Sequence, residues 1–172
     1  MLDILRKRRS IRKYRDLEID RETIELLKEA ALRAPTSRGI KPWRFVFVTD
    51  KALLEKLSKT KKSGSGFLKG ASLGVVVCAD ENESDVWIED CSIASIILQL
   101  AGLSLGLGSC WIQIRNRETG DGTSSEAYVR GLLKIPRHLR IGSIVAIGHP
   151  AEKNIPIPLK KLCFKKIRFN GF

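Results

Sequence analysis

The stretch VWIEDCSIASIILQLAGLSLGL, residues 86–107, constrains this chain more than any other. It reads as a helix from about Asp85 to Leu105 whose apolar side chains run nearly all the way round, so it has no face suited to water. Such a helix must be central, and the rest of the chain must supply what covers it. At 172 residues and 43% hydrophobic content, the chain is one domain long enough to do so. The other elements read in order. A short helix covers 2–8, and Asp20 caps RETIELLKEAALRA, which carries Ile24, Leu27, Ala31 and Ala34 on one face and stops at Pro35. RFVFVTD is a strand, Asp50 caps KALLEKLSK, SGSG is a flexible turn, and ASLGVVVCAD holds a buried strand. GSCWIQI is a strand, SSEAYVRGLLK is a helix capped by Ser124 or Ser125, and IGSIVAIGHP is the last clear strand. Helices and strands mix without strict βαβ alternation. That predicts an α+β fold with a mixed central sheet flanked by helices.

The net charge of +12 points to an anionic partner. Nucleic acid is the weaker choice, because the lysines are scattered and no zinc-finger spacing or aromatic-rich RNA signature accompanies them. Cys78, Cys91, Cys110 and Cys163 show no C-x-x-C pair, and the only histidines are His138 and His149. The cysteines read as small hydrophobes in a reducing compartment, with no metal site. No apolar run is long enough to span a bilayer, and MLDILRKRRS lacks the apolar core of a secretion signal, so a cytoplasmic location is expected.

Three segments carry potential chemistry. RRSIRKYR, residues 8–15, gathers four arginines around Ser10 and Ile11. As a helix it would put Arg8 and Arg12 on one face. As an extended segment it would put residues 8, 10 and 12 on one side and Ile11 on the other, a comb ~13 Å long that suits an elongated anion with a phosphate at one end. A solvated charge run is the bland alternative. APTSRGIKPWRF, residues 34–45, leaves backbone open after Pro35 and fits a loop that donates N–H groups to a planar ligand, or an ordinary helix–strand connection. GLSLGLGSCWI, residues 102–112, has glycines at G-x-x-x-G-x-G spacing after a helix rather than a strand, which excludes a Rossmann fingerprint.

Taken together, RRSIRKY, APTSRGIKPWRF, the long helix followed by GLGSCWI, and IPRHLRIGSIVAIGHP resemble the nitroreductase family of FMN-dependent oxidoreductases over roughly residues 5–162. The resemblance implies that Arg8 contacts the FMN phosphate and that Arg9 and Ser10 line the ribityl and phosphate region. It places Arg12 at the N1/O2 edge of the isoalloxazine. Pro35, Thr36, Ser37 and Gly39 would reach the flavin from the other subunit, with the backbone of Gly108 and Ser109 near the ring. A basic residue after the last strand completes the phosphate site in the family, here Lys160 or Lys161. The chain departs from the common pattern at Gly39 and Lys41, where asparagine and glutamine are usual, at Ile96, where asparagine is usual, and in lacking the C-terminal arginine.

The implied activity passes hydride from NAD(P)H through flavin N5 to a nitroaromatic, quinone or similar small acceptor. Arg12 would stabilise the charge of reduced flavin, and no side-chain nucleophile or base is required. Specialised enzymes of the same family, dehalogenating, dehydrogenating or flavin-fragmenting, are the alternative, and a basic nucleic-acid-binding protein is the more distant one. The working unit is expected to be an intertwined homodimer of single domains, residues 1–172, with 163–172 a tail extending toward the partner subunit.

Overall fold

A computed structural model describes residues 1–172. Five α-helices and four strands alternate as α1 (Leu2–Lys7), α2 (Arg21–Leu32), β1 (Trp43–Val48), α3 (Lys51–Leu57), β2 (Leu73–Asp80), α4 (Trp87–Ser104), β3 (Gly108–Gln113), α5 (Ser125–Leu133) and β4 (Leu139–Gly148). Polar side chains set the helix starts. Asp20 accepts the Thr23 N–H at 2.8 Å and Asp50 accepts the Leu53 N–H at 2.7 Å. Ser124 caps α5, while Ser125 is buried and donates to the Thr60 carbonyl at 2.5 Å. In SGSG, Ser65 is also buried, and its hydroxyl donates to the Ser58 carbonyl at 2.7 Å, so this turn is anchored rather than loose.

The strands form one sheet in the order β1-β2-β4-β3, and every neighbouring pair is antiparallel. The sheet is mixed only through a parallel bridge between Ser10 and Ser109 on its β3 edge. β2 and β4 are central and covered on both faces, which is why their apolar runs do not alternate with polar residues. On one face Val75, Val77, Val145 and Ile147 pack with Leu27 and Ala31 of α2 and with Cys91, Ala94 and Leu98 of α4. On the other, Val76, Ile112 and Ile144 pack with Leu54 and Leu57 of α3 and Val129 of α5. Burial, the main cause, pushes the thiols of Cys78 and Cys91 up to about 12; the pull of Arg130 on Cys78 is too weak to offset it, and the packing roles are inert.

α4 meets the expectation of a central helix on one side only. Cys91, Ala94, Leu98 and Gly102 are buried against the sheet, whereas Ile96, Leu100 and Leu103 are half-buried and Ile93 is exposed. One chain leaves that second apolar stripe incompletely covered.

Glu126 on α5 ties the last strand to the helix layer. Its carboxylate pairs with Arg130 at 2.8 Å and Arg140 at 2.9 Å and accepts the Ile141 N–H at 3.2 Å. Burial pushes the Glu126 carboxyl up, but the hydrogen bonds from Arg140 and the Ile141 N–H and the two guanidinium charges outweigh it and hold the group below the usual glutamate range. The stabilisation is therefore complete above pH ~4.3, the ordinary glutamate value, and is lost as pH falls through the lower folded value. Glu126→Gln is expected to flatten the loss of stability between pH 5 and 3, read from urea midpoints across that range. A wild-type slope in the variant would mean that Glu126 is not a contributor.

Candidate functional site

α1 ends at Lys7, and Arg8 takes an extended conformation with φ −57° and ψ 125°. The arginine segment is thus extended, which decides between the two readings of RRSIRKYR. It runs beside β3: Ser10 bridges Ser109, and the Ile11 N–H donates to the Ser109 carbonyl at 2.9 Å. Ile11 is buried and lies directly on Gly108, where a Cβ would stand 2.8 Å from the Ile11 side chain. No other residue at 108 lets the segment approach this closely.

A strap after β4 fastens the segment from the other side. The Ala151 N–H donates to the Lys13 carbonyl at 2.9 Å, and the Asn154 amide donates to the Ser10 carbonyl at 2.9 Å. Glu152 accepts the Arg12 N–H at 2.5 Å and the Lys13 N–H at 3.1 Å through one oxygen. Those backbone bonds, led by Arg12, hold the Glu152 carboxyl below its ordinary range. Tyr14 donates to the Ile11 carbonyl at 2.6 Å, and burial pushes its phenol up. Cys110 on β3 is buried beside this group. Burial raises its thiol, against the opposing pull of Arg12, the Ser10 hydrogen bond and Arg8.

The guanidiniums of Arg8, Arg9 and Arg12 enter no ion pair, although nine such pairs form elsewhere. Arg12 instead sits 5.8 Å from the Phe67 ring centroid. Unpaired planar cations beside a glycine cradle are the donor set a phosphate group requires, so these residues fit the FMN phosphate.

The second segment, residues 35–41, is a tight loop with positive φ at Arg38 (53°), Gly39 (68°) and Lys41 (58°). Gly39 stands in open space, so what glycine supplies is the left-handed backbone, which asparagine also tolerates. Thr36 Oγ1 accepts the Lys41 N–H at 3.0 Å, the Ser37 N–H donates to Asp90 at 3.0 Å, and Arg38 pairs with Asp85 at 2.7 Å.

The two segments lie at diagonally opposite corners of one chain. The arginine segment borders β3, at the row joining Ser109, Ile147 and Leu73, while the loop enters β1 at the row of Trp43 and Ala79. Three strand spacings separate the edges by ~14 Å, and the run from Leu73 to Ala79 adds ~20 Å along the strands, a diagonal of ~25 Å. α4 spans the same gap: its 18 residues measure ~27 Å, with Asp90 under the loop at its start and Gly108 soon after its end. A cleft of about 1430 Å³ lies between residues 14–28, 47–51 and 69–72; Tyr14 and Arg15 border it, whereas Arg8, Arg9, Ser10, Arg12 and the 35–41 loop do not.

Comparison with known proteins sets a family around this geometry. A model described as "Nitroreductase family" matches residues 5–64. An Archaeoglobus fulgidus protein assigned the name NADH dehydrogenase/NAD(P)H nitroreductase is 37% identical over 156 residues, covering 88% of this chain and 86% of that one. The chain belongs to the nitroreductase family. A second relative with the same assigned name, from Methanothermobacter thermautotrophicus, is 36% identical over 88% of this chain and 78% of its own. A solved FMN-dependent nitroreductase from Clostridium difficile R20291 superposes with a TM-score of 0.97 at 44% identity, covering 100% of both chains.

In this nitroreductase-family chain, Arg8, Arg9, Ser10, Arg12, Gly108 and Ser109 form one cluster, and Pro35, Thr36, Ser37 and Gly39 form another. Lys160 and Lys161 join neither; they sit on an exposed turn, Leu159–Lys161. Glu152, Asn154, Phe67 and Asp90 belong to the two clusters and were missed. HPAEKN follows the last strand directly, but nothing local in it tells that Glu152 reaches back to Arg12. Glu152→Ala is expected to weaken FMN binding by loosening the arginine segment. Glu152→Gln, which keeps the accepting oxygen, is expected to retain most of it. Flavin fluorescence titration reads both, and equal loss in the two variants would assign the effect to charge instead.

Proposed function

We propose that this chain is an FMN-dependent NAD(P)H oxidoreductase acting on small acceptors such as nitroaromatics or quinones, as a homodimer with two shared sites. One observation carries the reading: unpaired arginines and the preorganised 35–41 loop, both suited to a flavin, lie ~25 Å apart on one chain. A second copy related by a two-fold axis brings the loop of one subunit to the arginine segment of the other. The uncovered stripe of α4 supports the same assembly. So does the segment after β4, which exposes Ile155, Ile157, Leu159 and Leu162 and, in the 163–172 tail, Phe164, Ile167, Phe169 and Phe172, an apolar surface suited to a partner.

FMN, when bound, supplies the hydride-accepting and hydride-donating centre. In this reading Arg8 and Arg9 grip its phosphate, and the Ser10 and Ser109 strands fix its depth against β3. Arg12 places a permanent cation where negative charge builds up on the ring, because arginine stays protonated at every physiological pH. The partner's loop covers the ring and limits access by water. Lys160 and Lys161, which lie outside both clusters on the exposed turn before the tail, are the candidates for a further cation at the phosphate. The similarity to named NAD(P)H nitroreductases supports the choice of donor, and four cysteines free of disulfides support a reducing, cytoplasmic setting. No helix is long and apolar enough to cross a membrane.

Purified protein is expected to be yellow, or to become so on adding FMN, to release FMN rather than FAD on heating, and to bleach anaerobically with NADH or NADPH. Protein that shows neither colour nor a thermal shift in excess FMN ends the reading. Sedimentation as a monomer that still holds stoichiometric FMN would remove the shared sites while leaving the cofactor.

A further inference from the structure

Asp90 stands out because its carboxylate is almost fully buried, at 1% exposure, with no cation beside it. A buried acid normally carries a high cost unless donors surround it. Two neutral donors do so here. The Ser37 N–H reaches Oδ1 at 3.0 Å, and the Ser84 hydroxyl reaches Oδ2 at 3.0 Å. Asp90 also lies in the first turn of α4, where the helix dipole favours negative charge. The group is thus held as an acceptor in a place where a hydrophobic side chain would pack at lower cost.

What it fixes is the backbone of the 35–41 loop. Ser37 opens a turn in which two non-glycine residues, Arg38 and Lys41, are left-handed, a conformation that persists only when surrounding contacts over-determine it. The other fastenings are weak by comparison. Arg38–Asp85 is an exposed pair on the surface, Thr36–Lys41 is internal to the loop, and the exposed Arg44 guanidinium donates to the Lys41 carbonyl at 3.2 Å only at the loop's end, so none of these buries an anchor beneath Ser37. Asp90 alone joins the loop to the buried end of the helix that also leads to Gly108.

We propose that Asp90 is the positioning residue of this loop: its carboxylate presets the 36–41 backbone in the conformation that covers the flavin of the partner subunit. The consequence for flavin rests on the reading above, whereas the ordering of the loop does not. Preorganisation of this kind lowers the cost of binding without touching the ligand.

Asparagine is the informative replacement. Its carbonyl oxygen still accepts the Ser37 N–H, and its NH2 donates to the Ser84 hydroxyl, which can reverse its role. Alanine removes both bonds. In flavin-free protein, trypsin is expected to cut after Arg38 about tenfold faster in Asp90→Ala than in wild type and at the wild-type rate in Asp90→Asn. Titration with FMN is expected to show a Kd raised about tenfold in the alanine variant and nearly unchanged in the asparagine one. At saturating FMN, kcat should change less than the KM for NADH. Amide exchange on the wild-type chain needs no variant. The Ser37 N–H, though on a surface loop, is expected to exchange far more slowly than that of Arg38, which has no acceptor. Equal exchange at the two amides overturns the proposal, even if Asp90→Ala fails to fold. So does wild-type behaviour of Asp90→Ala, or an asparagine variant as impaired as alanine. If wild-type protein binds no FMN yet shows the expected exchange and cleavage, the flavin reading falls and the positioning role stands.

Discussion

Arg8→Ala is expected to weaken FMN binding about ten- to hundredfold, because a charge-assisted contact to phosphate contributes about 1.5–3 kcal/mol. The guanidinium has no carboxylate to satisfy it within the chain, so the loss falls on the ligand rather than on the fold. The backbone that carries it is fixed twice, by Ser109 and by the strap through Asn154, so nothing relaxes to compensate. Arg8→Lys should recover only part of the loss, since an ammonium keeps the charge but not the planar fork. Arg12→Ala is expected to behave differently. It should lower the flavin's reduction potential and slow its reduction by NAD(P)H more than it weakens binding, because its cation matters most where charge develops on reduction. The two quantities are read by fluorescence titration and by potentiometry. An Arg12→Ala enzyme with an unchanged potential would show that the ring-edge role belongs to another residue. Mixing Arg8→Ala chains with chains altered in the 35–39 loop should restore one intact site per heterodimer. If mixing restores nothing, the shared-site arrangement is wrong.

The largest effect on stability is expected from Leu98→Ala, about 2–5 kcal/mol. Leu98 is wholly buried in the cluster that joins α4 and α2 to the central strands. The sheet beneath it is packed on its other face by α3 and α5, so it cannot sink into the space left behind, and the cavity term stays near its full value. Urea unfolding should show the midpoint falling with an unchanged m-value. The contrast is Ile93 on the opposite side of the same helix, which is 36% exposed in one chain. Ile93→Ser should leave monomer stability nearly unchanged and weaken self-association. If instead it unfolds the chain at every concentration, α4 is a core helix of a monomer and the uncovered stripe has no partner.

The sequence by itself determined the elements. Apolar runs marked β2 and β4, a near-continuous apolar helix marked α4, and Asp20, Asp50 and Ser124 marked helix starts, because caps and periodicity act between residues a few positions apart. The four motifs taken in order also identified the family. Tertiary structure alone decided how these parts meet. It made the arginine segment extended, since the pairing of Ser10 with Ser109 outweighs the local option of prolonging α1. It chose the β1-β2-β4-β3 order, which sends the two candidate segments to opposite corners of one chain. It also recruited Glu152 and Asp90, whose partners lie 140 and 53 residues away. No local pattern records such contacts, because the hydrogen bond that makes an acidic residue a fastener exists only once packing has brought a distant backbone N–H to it.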